Sequence, residues 1–143
     1  MNLFSRSSIK KVDIESEIMA KRFDVIIFGA TGYTGKYAIR NAIEILQGMQ
    51  WAVASRTKSK LEETLRDSGR KMNADLSKIP ILIADVADEK SIQEMAKQAK
   101  VIVNCCGPYH LYGEVVVKAC VENGTSHVDV SGEAQFIEKM MLK

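Results

Sequence analysis

The sequence has 143 residues, 46% hydrophobic and 27% charged, with a net charge of +2. This is the makeup of one ordinary globular domain, with too little positive charge to point to nucleic acid as a partner. Its three cysteines, Cys105, Cys106 and Cys120, form no Cys-x-x-Cys pair and are accompanied by only two histidines, so no metal is expected and a reducing compartment suits the chain.

No apolar run approaches the roughly 20 residues that a membrane-spanning helix needs. Residues 1–21 read as a disordered or loosely ordered leader. Its opening, MNLFSRSSIKKV, is basic, contains serine and lacks acids, which weakly resembles a mitochondrial transit peptide. Asp13, Glu15 and Glu17 follow at once and spoil a basic amphipathic helix, and Met19 is a second candidate start.

Phe23 to Phe28 is short, aromatic and β-branched and is ended by a glycine, as in a buried strand. Residues 34–47 follow with Ile39, Ile43 and Leu46 on one helical face. Trp51 to Ser55 is a second strand. Leu61 and Leu65 mark a second helix ending near Gly69, and the polar stretch Arg70 to Lys78 reads as a loop. Ile79 to Ala84 is the third strand, with Pro80 at its entrance. Asp88 is a good N-cap for a third helix carrying Ile92, Met95, Ala96 and Ala99 on one face. Val101 to Cys105 is the fourth strand. Val115 to Glu122 is the fourth helix, stopped by Asn123-Gly124. His127 to Val130 is a short fifth strand, and Glu133 to Leu142 begins another helix.

Strands so apolar must be covered on both faces, and helical crossovers lay parallel strands side by side. The expected fold is therefore α/β: a Rossmann-type doubly wound parallel sheet of order 3-2-1-4-5, in three α/β/α layers, over residues 22–143.

The first strand meets the first helix at Gly29-Ala30-Thr31-Gly32-Tyr33-Thr34-Gly35. The G-x-x-G-x-x-G spacing is weak evidence alone, and its place between an apolar strand and an amphipathic helix strengthens it. Gly29 permits the sharp turn, Gly32 lets a diphosphate approach the backbone, and Gly35 lets helix pack on strand. Free N–H groups of the first helical turn, with the helix dipole, then face phosphate. Gly35-Lys36 also looks like the end of the nucleoside-triphosphate loop G-x-x-x-x-G-K-[ST]. That reading fails, because Ala30 stands where its first glycine belongs and Tyr37 where its final hydroxyl belongs.

An NAD-selective domain carries an acid at the end of the second strand. Here the strand runs into Ser55-Arg56-Thr57-Lys58-Ser59-Lys60, and no acid comes before Glu62. Three cations at a helix start oppose the dipole, and an anionic ligand resolves the conflict. The expected cofactor is NADP, its 2′-phosphate gripped by Arg56, with Ser55 and Lys58 or Lys60 assisting. An ordinary solvated basic turn is the alternative. Asp85 either reaches the adenine amino group or caps its own loop.

With Asn104-Cys105-Cys106-Gly107-Pro108-Tyr109 the chain becomes more specific. The segments FGATGYTG, WAVASRTKSKLEE and NCCGPYHLYGEVVVKACVENGTSHVDVSGE together resemble the N-terminal part of the saccharopine dehydrogenase-like oxidoreductases. The combination of G-P-Y-x-x-Y-G-E (Gly107 to Glu114) with D-x-S-G-E (Asp129 to Glu133) is much narrower than the glycine turn. The resemblance implies a Rossmann domain followed by a larger C-terminal region that completes the substrate site. It implies an unassigned small-molecule or lipid-linked substrate, and an association with lipid droplets, membranes or mitochondria.

On this reading the cofactor residues are Gly29, Thr31, Gly32, Tyr33, Thr34, Gly35, Ser55, Arg56, Lys60, Asp85, Asn104, Cys105, Gly107 and Pro108. Asn104 to Pro108 would lie where the nicotinamide half passes, with Tyr109, His110 and Glu133 either bordering the substrate or serving packing and helix-charge roles. Cys105 and Cys106 read as small buried residues rather than nucleophiles. The Tyr-x-x-x-Lys pair of short-chain dehydrogenases is absent: Tyr37, Asn41, Gly113 and Val116 stand four residues after the four tyrosines.

Two functions follow as expectations. One is an oxidoreductase moving hydride between NADP(H) and its substrate; the other is a nucleotide-binding or scaffolding module without turnover. Because the sequence stops at Lys143, the chain alone is expected to be inactive, or to be a short form with no role of its own. An open sheet edge would favour homo-oligomers.

Overall fold

The computed structural model describes residues 20–142, so most of the leader lies outside the described residues. Five parallel strands form one sheet of order β3-β2-β1-β4-β5, as expected. They are β1 (Phe23–Phe28), β2 (Trp51–Ser55), β3 (Ile81–Ile83), β4 (Ala99–Asn104) and β5 (Ser126–Asp129). Between and after them run α1 (Tyr33–Ile45), α2 (Lys58–Met72), α3 (Glu89–Lys97), α4 (Tyr109–Glu122) and α5 (Ala134–Met141). None of these helices is long and apolar enough to cross a membrane.

Alternation along the central strand builds the layers. Ile26 and Phe28 of β1 face the layer of α3 and α4, packing with Ile92, Met95, Ile102 and Val116. Ile27 faces the opposite layer of α1 and α2, with Ile39, Val53, Leu61 and Leu65. Each such fully buried aliphatic side chain contributes roughly 1.5–3 kcal/mol of hydrophobic stabilisation before entropy is charged against it. Asp88 caps α3 as expected: its carboxylate accepts the N–H groups of Lys90 and Ser91. Gly124, at φ +57°, ends α4 in the left-handed region.

The structure corrects the bounds of α2, β3, β4 and α4. Helix α2 runs past Gly69 to Met72 and is stopped by Asn73 at φ 51°. Gly69 is there for packing, because a Cβ on it would lie 2.6 Å from the Ala74 carbonyl oxygen as the chain returns. Strand β3 is only Ile81–Ile83, since it pairs with β2 alone at the sheet edge. Ala99 belongs to β4, paired with Phe23, rather than to the third helix, and Cys105 falls just past that strand. Helix α4 begins at Tyr109, not Val115, because a carboxylate far along the chain caps its first turn.

Candidate functional site

Parallel register brings the functional segments to one edge. Phe28 pairs with Ala54 on one side and Asn104 on the other, and Asn104 pairs with Asp129. The glycine turn, the Ser55-Arg56 segment and the Asn104 to Tyr109 segment therefore leave the sheet side by side at its carboxyl edge. There β1 and β4 are neighbours while their helices cover opposite faces, the crevice in which doubly wound folds bind ligands.

The turn is built as its glycines require. Gly29 sits at φ +74° against the Cys105–Cys106 peptide. A Cβ on Gly35 would fall 2.6 Å from Ala30 Cα, so only glycine lets α1 start so close to the strand. Gly32 is the N-cap of α1, in extended conformation, and no side chain among the described residues caps that helix. The first bond closing the helix runs from Lys36 N–H to the Gly32 carbonyl, and the N–H groups of Tyr33, Thr34 and Gly35 make none to the preceding turn. These three donors, with no acid in the first turn, form a ready anion site.

The turn opens on a cleft of about 400 Å³ lined by Gly29, Thr31, Gly32, Ser55, Arg56, Asp85, Cys105, Cys106, Gly107 and Tyr112, among others. Thr31 Oγ1 and Ser55 Oγ are 3.1 Å apart, tying the turn to the end of β2. Arg56 is exposed beside them. Lys58 pairs with Glu62 at 3.8 Å along α2, while Lys60 is exposed and stands outside the cleft wall. Asp85 lines the cleft, and its Oδ1 accepts the Ala87 N–H, which is the loop-cap role.

Tyr33 and Thr34 are exposed at the start of α1, and the Tyr33 ring leans on Tyr37 with centroids 5.1 Å apart. A glycine backbone at 29, 32 and 35, uncapped N–H groups and Arg56 at the rim make this edge of the cleft suited to an anionic ligand.

The segment after β4 is held from inside. Asn104 is fully buried; its Oδ1 accepts the Cys106 N–H at 3.0 Å, which turns its Nδ2 toward His127 Nε2, 3.3 Å away. A backbone N–H can only donate, so the amide orientation is set, and His127 Nε2 must accept. Asn104 therefore shapes the cleft floor rather than entering it. Burial lowers the His127 pKa, against a weaker opposing pull from Asp129. Burial also raises the pKa of Cys105 and of Cys106, so both half-buried thiols stay protonated at neutral pH. The Gly107–Pro108 bond is cis, and Pro108 is the N-cap of α4.

Glu133 supplies what the sequence did not show. Its Oε1 accepts the Tyr109 N–H and its Oε2 the His110 N–H, both at 2.8 Å, and Oε2 also lies 2.6 Å from His110 Nδ1. These bonds lower the pKa of Glu133, the backbone donors first. Its place is thus at the start of α4, not at its own helix alone. Tyr109 is buried and donates its hydroxyl to the Asn104 carbonyl at 2.9 Å, and its ring packs on Phe136. Tyr112, which reaches the cleft wall one turn into α4, is not among the expected site residues; the G-P-Y-x-x-Y-G-E motif that contains it is the available signal.

Residues 25–143 match the family described as the saccharopine dehydrogenase NADP binding domain. The chain is 51% identical over 124 residues to a Caenorhabditis elegans protein named lipid droplet localized protein, covering 85% of this chain and 29% of that one. It is 43% identical over 129 residues to the saccharopine dehydrogenase-like oxidoreductase of Mus musculus, covering 85% and 30%. The chain thus spans under a third of the length of these relatives. Among solved structures, the L-Glu-forming saccharopine dehydrogenase of Saccharomyces cerevisiae superimposes with a TM-score of 0.62 at 17% identity, over 82% of this chain and 24% of that one. That likeness speaks to the fold.

Proposed function

Because this chain belongs to the saccharopine dehydrogenase-like oxidoreductases, of which it carries the NADP-binding domain, we propose that it holds NADP(H) along the carboxyl edge of its sheet for hydride exchange with a lipid-linked substrate. The uncapped start of α1 beside the cleft carries this reading. The N–H groups of Tyr33, Thr34 and Gly35 and the open backbone at Gly32 receive the diphosphate. Thr31, Ser55 and Arg56 take the adenine ribose and its 2′-phosphate, with Lys60 lending charge and Asp85 beside the adenine. Cys105, Gly107 and Pro108, braced by Asn104, border the nicotinamide half.

The cofactor supplies the hydride; the protein's part is to bind, orient and screen it from water. Residues 22–143 act as the nucleotide-binding unit, and a larger C-terminal region of the parent protein closes the substrate site. The name of the worm relative supports a lipid-droplet location for that parent, and a lipid-linked substrate accords with it.

Following NADPH absorbance with the longer protein and a panel of carbonyl, imine and enone acceptors tests the reaction. Oxidation with one class supports the oxidoreductase. Tight binding with no oxidation across the panel favours a nucleotide-binding module instead.

A further inference from the structure

We infer that His110, oriented by Glu133, is the proton-transfer residue at the nicotinamide end of the cleft; this rests on the cofactor reading above. A hydride placed on one atom of a polarised double bond leaves an electron pair on its neighbour, and that neighbour needs a proton. The groups near the cleft narrow the choice. The Tyr109 hydroxyl is buried and committed to the Asn104 carbonyl. Cys105 and Cys106 are half-buried thiols. Tyr112 reaches the cleft, yet its hydroxyl has no hydrogen-bond partner among the described residues to steer or relay a proton.

His110 has that partner. It stands in the first turn of α4, three residues past Gly107 of the cleft wall and not itself in that wall, with its side chain 47% exposed and its Nδ1 2.6 Å from Glu133 Oε2. A carboxylate accepts only, so Nδ1 carries a hydrogen in either charge state of the ring, and Nε2 is the nitrogen that gains and loses a proton. Glu133 is itself fixed by the Tyr109 and His110 N–H groups, so the base, its orienting carboxylate and the helix start form one rigid unit.

In the reducing direction His110 Nε2–H would pass its proton to the substrate atom that receives the displaced electron pair, the hydride on the adjacent carbon being what NADPH would supply when bound. The ring is left neutral with Nδ1–H still on Glu133, and solvent restores the proton at Nε2 of the part-exposed ring. Oxidation runs the same transfers backward.

Nitrogen-15 and carbon-13 NMR of the chain tests this, helped by there being only two histidines to resolve. The neutral His110 ring is expected in the Nδ1–H form, and Glu133→Gln is expected to lose that preference while the α4 amides beyond the first turn keep their protection. Adding NADP should shift the His110 ring and the amides of Gly32 to Gly35. Adding 2′,5′-ADP, which has no nicotinamide, should shift the region around Arg56 and leave His110 still.

If neither ligand moves the glycine-turn amides or Arg56, the cofactor reading falls and takes the proposal with it. If NADP moves those amides and His110 stays still, or responds equally to both ligands, the proposal alone is overturned. A neutral His110 protonated on Nε2 overturns it as well.

Discussion

Gly29 packs face to face with Cys105: a Cβ on Gly29 would lie 2.8 Å from the Cys105 carbonyl carbon, and as close to the Cys106 nitrogen. The two ends of the crevice floor, one from β1 and one from β4, touch here through backbone alone. Gly29→Ala therefore adds a steric conflict to the left-handed strain of φ +74°. Gly48 isolates the strain, since it has φ +79° and no atom within 4 Å of a Cβ. Gly48→Ala is expected to cost roughly 1–2 kcal/mol in urea unfolding. Gly29→Ala should cost clearly more and weaken NADP binding at least tenfold. Equal costs at the two sites would mean that the close approach to Cys105 contributes nothing.

Arg56 is the group on which the 2′-phosphate preference is placed. A charge-assisted hydrogen bond of this kind is worth about 1.5–3 kcal/mol. Arg56→Ala should thus raise the Kd for NADPH about 10- to 100-fold and leave that for NADH nearly unchanged. Fluorescence titration of both cofactors against both proteins measures it, and a parallel loss for the two cofactors would remove Arg56 from that role.

Lys21 acts at the opposite edge of the sheet. Its ammonium bonds the Asn123 carbonyl at 2.8 Å, the Thr125 hydroxyl at 2.5 Å and the Ala96 carbonyl at 3.3 Å, where α3 and α4 both end. A cation at two helix C-termini is favoured by both dipoles. Lys21→Met should destabilise the chain by about 1–3 kcal/mol in denaturant unfolding, since it strips a charged donor from part-buried acceptors. NADP affinity should not change, because the substitution is remote from the cleft.

His127 makes stability depend on pH. Its folded pKa lies below the ordinary 6.5, chiefly through burial. The unfolded chain then binds the proton more readily, so the contribution is fully present above about pH 6.5 and is lost as pH falls from there through the folded value. Protonation would also turn Nε2 into a donor facing the Asn104 amide, 3.3 Å away. Thermal melts from pH 7.5 to 5 should show Tm falling in the parent chain and falling less in His127→Gln. The same slope in both would show that His127 is not the titrating group.

Much of this was legible locally. The run Phe23 to Phe28, the Gly29 to Gly35 turn and the Asp88 cap are each set by neighbours within a few residues, and all stand where the sequence put them. The strand order also followed, from apolar strands joined by helical crossovers. What was not legible depends on distant contacts. Gly69 looked like a helix stop because its packing partner, Ala74, becomes visible only once the chain folds back. The early start of α4 depends on Glu133, 24 residues from Tyr109. Asn104 reads as a polar strand end facing a ligand, yet it is fully buried, because His127 on β5 and the Cys106 N–H satisfy it. Of the basic turn only Ser55 and Arg56 line the cleft, because Lys58 turns along α2 to Glu62 and Lys60 stands outside the wall.

A cleft that recognises a dinucleotide by its 2′-phosphate must bind NADPH and NADH with different affinities. Calorimetric titration of the chain with NADPH and with NADH, at one salt concentration, tests it most directly. One NADPH is expected to bind per chain, at least tenfold tighter than NADH; equal affinities, or no heat with either, would mean that the cleft does not recognise the 2′-phosphate.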